Sequence, residues 1–153
     1  MSVEENLSEK GLTLPAAPAP AANYVPYVIS DGHLYVSGQI SQDADGNLIT
    51  GRLGETMSIE DGQAAAERCA LALIAQAKAA CEGDLSKIAQ VVRLGGFVNC
   101  TPEFTDQPKV INGASDLMVA AFGDAGRHAR AAVGAPSLPM GVAVEIDAIF
   151  RLA

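Results

Sequence analysis

The sequence predicts an α+β domain: a mixed β-sheet with two helices packed on one face. Three observations carry this. Asp31-Gly32 sits between the β-rich runs Tyr27–Ser30 and His33–Val36, where Asp-Gly supplies the positive φ angles of a type I′ hairpin turn. From Ser58 the apolar period changes to three and four residues and holds to about Cys81. Two extended runs, 127–134 and 141–152, close the chain on either side of a loop rich in proline and glycine. The order is hairpin, helix, strand, helix, two strands. It lacks the repeating rhythm of a βαβ fold, which points to helices gathered on one side of the sheet. The whole length, 1–153, reads as one domain with residues 1–22 as an N-terminal arm.

Residues 3–10 fit one short polar helix that Gly11 stops. The segment Leu14–Ala22 holds too much proline for a helix or a central strand and reads as an extended strap leading into Asn23-Tyr24. His33 follows the hairpin turn as a surface residue, and Gly38 interrupts the second strand where a bulge or a close backbone approach is expected. Asp43–Asn47 is a second turn, and 49–57 is irregular, with Gly51 and Gly54. Ser58 with Asp61 resembles a capping box opening the first long helix, whose face is Ala65, Cys69, Ala72, Leu73, Ala77 and Ala80 before a stop at Gly83. Ile88–Cys100 is a long strand in which Gly95-Gly96 predicts a bend, a bulge or a close crossing. The second helix starts around Pro102 to Pro108, buries Val110, Ile111, Ala114, Leu117, Met118 and Ala121, and ends at Gly123. Asn112 falls early in that helix, in a surface or capping position.

The composition excludes several functions. Eighteen acidic residues against ten basic ones give a net charge of −8, which opposes binding to nucleic acid. The densest basic spot, Arg127-His128-Ala129-Arg130, suits one small anion better than a polymer. Cys69, Cys81 and Cys100 are odd in number and widely spaced, so they read as reduced thiols of a cytoplasmic protein, with no disulfide framework and no metal site. The acidic start has no apolar core of a signal peptide, and Glu67, Arg68 and Lys78 break the longest apolar stretch, so no membrane segment is expected.

Charge in the last two runs needs a reason. Alternation places Arg130, Ala132 and Gly134 on one strand face, and Ala143, Glu145 and Asp147 on one face of the next. Either these charges pair with each other or with neighbours, or Arg130 is an anion fork whose parallel N–H donors hold a carboxylate while Glu145 holds a water beside it.

Arg130-Ala-Ala-Val133, then Leu138-Pro139, then Val144-Glu145-Ile146 resembles the C-terminal signature of the RidA/YjgF family, also called the endoribonuclease L-PSP family. Asn23-Tyr24-Val25-Pro26, Leu34–Ile40 with its Ser37-Gly38-Gln39, Phe97-Val98-Asn99 and Val110-Ile111-Asn112 agree in order, so the resemblance covers about residues 22–153. It implies a fold like that of bacterial chorismate mutase and a homotrimer with a pocket at each subunit interface. A sheet face with no third layer to cover it independently favours association. The resemblance also implies a hydrolytic deaminase of enamine or imine acids of the 2-aminoacrylate type, working without metal or organic cofactor. Arg130 would bind the substrate carboxylate and Glu145 the attacking water, with Tyr24, Gly38 (through its main chain) and Asn112 lining the pocket. Ala132 stands where close relatives often have cysteine, and the arm and the 49–60 connection are longer than in compact members. A trimer that binds small acids without turnover is the alternative; ribonuclease has no residue pattern behind it.

Overall fold

The computed structural model describes residues 1–17 and 22–153, so part of the proline-rich strap lies outside the described residues. Its strands are β1 (Tyr27–Ser30), β2 (His33–Ile40), β3 (Ile88–Asn99), β4 (Ala129–Ala135) and β5 (Val144–Leu152), and its helices are α1 (Val3–Glu9), α2 (Ile59–Ala80) and α3 (Gln107–Phe122). They form one sheet in the order β1-β2-β5-β3-β4. Every pairing is antiparallel except β3 with β4, which makes the sheet mixed.

Local chemistry explains the element ends. Asp31 and Gly32 take φ of 49° and 73°, as a type I′ turn requires. The β2–β5 register shifts between Val36 and Gln39, so the bulge falls at Ser37-Gly38 as the glycine indicated. Ser58 caps α2 by accepting the Asp61 N–H at 3.1 Å. A full capping box opens α1 instead, where Ser2 and Glu5 exchange hydrogen bonds. That helix is less polar in its role than its composition indicates. Leu7 is buried, and Asn6 donates to the Ala121 carbonyl at 2.9 Å, so α1 docks beside the end of α3 and three helices share one face.

The core lies between these helices and the inner sheet face. Leu71, Leu73 and Ile74 of α2 are fully buried against Leu34, Leu94, Ile146 and Phe150, each contributing roughly 1.5–3 kcal/mol. α2 and α3 approach closely enough that a Cβ on Gly113 would overlap the Gln63 carbonyl oxygen.

The Gly95-Gly96 pair corrects one expectation. The ladder with β4 and β5 runs in register through both glycines, and the irregularities of β3 sit earlier, at 88–90 and 91–93. The glycines serve close packing instead of bending. A Cβ on Gly96 would lie 2.7 Å from Ile111 of α3, and one on Gly95 would lie 2.5 Å from the Asp147 carboxylate.

Candidate functional site

Two separate charged clusters emerge, and register decides where each one faces. Leu94 pairs with Arg130 and Gly96 with Ala132 across β3–β4, and Gly96 pairs with Ile146 across β3–β5. Paired residues point to the same side. Arg130 and Ala132 therefore share the helix-covered face with Ile146. Glu145 pairs with Phe97 and Ile40, on the opposite, open face.

Arg130 lies on the edge strand, and α3 holds its guanidinium. Nη1 donates to Ser115 Oγ at 3.1 Å and Nη2 donates to the Pro108 carbonyl at 3.2 Å. Both acceptors are neutral, and among the described residues Arg130 forms no ion pair. Residues 108, 112 and 115 follow helical spacing, so half-buried Asn112 lies on the stripe that Arg130 spans. Behind Ser115 stands His128, whose Nε2 is 2.9 Å from the serine oxygen and whose Nδ1 is 2.6 Å from the Gly126 carbonyl. A carbonyl only accepts, so Nδ1 carries the proton. With the ring neutral, Nε2 accepts the Ser115 hydroxyl hydrogen. Neither Ser115 nor the role of His128 was legible in sequence, because the partners sit on different elements and no motif links them.

Glu145 and Gly38 form the second cluster. A Cβ on Gly38 would overlap Glu145 Oε2, so the glycine lets the carboxylate lie flat against β2. Burial, and then the neighbouring Asp147, raise the Glu145 carboxyl above its ordinary range. Burial also raises Asp147, against the pull of Arg93 at 3.8 Å and the Gly95 N–H. A shallow depression of about 420 Å³ adjoins this cluster, between Tyr35, Gly38 and Asp147. Around it the open face exposes large apolar side chains: Val28 at 52%, Tyr35 at 45%, Phe97 at 38% and Val133 at 46%.

The single chain thus brings Gly38 to Glu145, and Arg130 onto the Asn112 stripe, but does not bring the two pairs together. Tyr24, 50% exposed, precedes β1 at the far edge of the sheet. The β1 edge lies four strand spacings, roughly 19 Å, from the Arg130 edge. The three cysteines are buried and free; burial, reinforced by the charge of Glu145, pushes the Cys69 thiol far up. Among the described residues, the Cys100 Sγ accepts from the Gln107 amide, at 3.6 Å. Among the described residues no group of three or more His, Cys, Asp or Glu could hold a metal ion, and no helix is long and apolar enough to cross a membrane.

An α+β sandwich of one mixed sheet and one helix layer is a known architecture. The family described as "YjgF/chorismate_mutase-like, putative endoribonuclease" matches residues 4–150. The chain belongs to this RidA/YjgF family, and its fold is that of the family. Protein TCP17 of Trypanosoma cruzi is 51% identical over 98% of this chain and 94% of its own. The crystal structure of Atu1372 from Agrobacterium tumefaciens is 50% identical, with a TM-score of 0.93 over 99% of this chain and 92% of that one. A Shewanella oneidensis structure, described as a "putative endoribonuclease", is 37% identical, with a TM-score of 0.95 over 99% of this chain and 100% of that one.

Proposed function

We propose that the protein is a hydrolytic deaminase of reactive enamine and imine acids of the 2-aminoacrylate type, releasing ammonia and a 2-keto acid. The observation that carries this is Arg130: it is anchored by neutral acceptors and forms no ion pair among the described residues. Two of its five N–H donors are engaged on α3, which leaves three, enough for the two parallel bonds a carboxylate takes. Glu145 holds the water. Its raised pKa suits it to take a proton as that water attacks the imine carbon, and nitrogen leaves as ammonia after protonation. Holding acid and water side by side makes the attack effectively intramolecular.

The site forms between copies of a homotrimer. Arg130 and Asn112 of one subunit face Gly38 and Glu145 of the next, with Tyr24 as a wall. This arrangement is supported by the opposite faces of Arg130 and Glu145 and by the apolar open face of the sheet. No step calls for a metal or organic cofactor, since an imine hydrolyses by proton transfer and water attack alone. The substrate is a small carboxylate. A net charge of −8 opposes a polyanionic RNA substrate, and we assign no ribonuclease activity.

A coupled assay tests the reading. A serine or threonine dehydratase generates the intermediate, and semicarbazide trapping reports its lifetime. The protein is expected to shorten that lifetime, and Arg130→Ala to abolish the effect. Acid binding without acceleration would instead identify a binding protein built on the same site.

A further inference from the structure

Deepening that reading, and resting on it, we propose that Ser115 and His128 are positioning residues that preset Arg130 for its acid and so determine its affinity. The geometry is a directed chain of hydrogen bonds. The Gly126 carbonyl fixes the Nδ1–H form of His128 at 2.6 Å. Nε2 then accepts the Ser115 hydroxyl at 2.9 Å, which turns the serine oxygen's lone pairs toward Arg130 Nη1, 3.1 Å away. The serine cannot reverse this arrangement without leaving Nε2 unpaired in a half-buried position, which costs free energy. The Pro108 carbonyl takes one hydrogen from Nη2, so the plane of the guanidinium is fixed at two points.

This matters because an arginine side chain is long and rotamer-rich. Ordering it at the moment of binding subtracts from affinity, whereas ordering it during folding does not. The relay also draws on uncharged groups only. A carboxylate at Ser115 would hold the guanidinium more firmly but would neutralise the charge that the ligand must meet. A hydroxyl backed by imidazole orients the cation and leaves its charge available. Neither residue touches the reacting atoms, so neither is catalytic.

The experiment has a spectroscopic arm and a binding arm, both on the full-length protein. Long-range ¹⁵N–¹H spectra are expected to show His128 as the Nδ1–H tautomer, and Arg130 to give resolved guanidinium signals that broaden in Ser115→Ala. An Nε2–H tautomer, or Arg130 signals unchanged in that variant, would overturn the relay. In titrations with 2-oxobutanoate, a stable acid of the product type, Ser115→Ala is expected to weaken binding about tenfold, the worth of a hydrogen bond to a charged group. Ser115→Thr, which keeps the hydroxyl, should bind and melt as the wild type does, whereas Ser115→Ala should stay folded but melt somewhat lower, because His128 Nε2 loses its partner. In the coupled assay the Ser115→Ala loss should appear in KM with kcat retained. Wild-type affinity in Ser115→Ala sinks the proposal. Wild-type protein that binds no acid and shows no turnover sinks the deaminase reading instead, and the spectra still decide whether the relay exists. Should Ser115 be labelled covalently by a fluorophosphonate, it is a nucleophile and the positioning role is overturned.

Discussion

The Arg130 edge and the Glu145 face place opposite charges by opposite means. At the edge, structure is added: a serine hydroxyl, a histidine and a helix carbonyl converge on the guanidinium. At the face, structure is removed: Gly38 lacks the Cβ that would displace the Glu145 carboxylate, and no ion pair to Glu145 forms among the described residues. The edge holds its cation at two neutral acceptors without neutralising it. The face holds its anion in a setting that resists ionisation. Each half leaves uncompensated a charge that the other half could meet. One chain cannot close the gap, because the two charges point to opposite sides of one sheet.

The largest effect should come from separating the halves entirely. Phe97→Asp puts a charge in the middle of the exposed apolar face, and is expected to yield a folded monomer by light scattering with no turnover. A monomeric variant that keeps full activity would show that one chain suffices.

Next comes the pair itself. Arg130→Ala and Glu145→Gln are each expected to lower kcat/KM by roughly 100-fold or more, the first through lost carboxylate binding and the second through lost proton transfer. Their mixture is the sharper measurement. If each site takes its arginine from one copy and its glutamate from the next, co-refolded inactive variants regain activity at roughly a quarter of sites in a random cyclic trimer. If both come from one chain, mixing restores nothing.

A smaller effect tests the space at Gly38. Gly38→Ala should move the Glu145 carboxylate, lowering kcat by about tenfold, the lower end of what a misplaced reacting group costs, while acid affinity stays near wild type. Equal losses in kcat and affinity would mean that Gly38 contacts the acid directly.

The smallest effect is on stability. Because the Glu145 carboxyl is raised in the folded state, the native protein binds that proton more tightly than the unfolded chain does. The stability this confers is complete below the ordinary carboxylate pKa and is lost as pH rises through the folded value. Glu145→Gln carries no such loss, so it should melt above the wild type at pH 7, with the gap closing on acidification toward about pH 4. A gap independent of pH would mean that the carboxylate is not the cause.

How much of this was legible follows from the range of each interaction. The hairpin, the bulge at Gly38, the Ser58 cap and the end of α2 rest on residues a few positions apart, and they lie where the spacing placed them. At Gly95-Gly96 the close approach was legible and the bend or bulge was not realised, because a glycine pair in a strand signals a missing Cβ without saying what takes its place. Here it is Ile111 and Asp147, each from a different element. The docking of α1 escaped for the same reason: its one buried leucine acquires meaning only from the end of α3.

By itself the sequence determined the elements, their periodicity and the two residues that carry the charge, since backbone sterics and alternation act within a single strand or helix. Only the tertiary structure decided that β3 lies between β4 and β5, that Arg130 faces the helices while Glu145 faces away, and that Ser115 and His128 stand behind the arginine. Alternation orders the residues of one strand relative to each other. Which face of one strand matches which face of another depends on pairing register, and that is set by contacts between residues far apart in the chain.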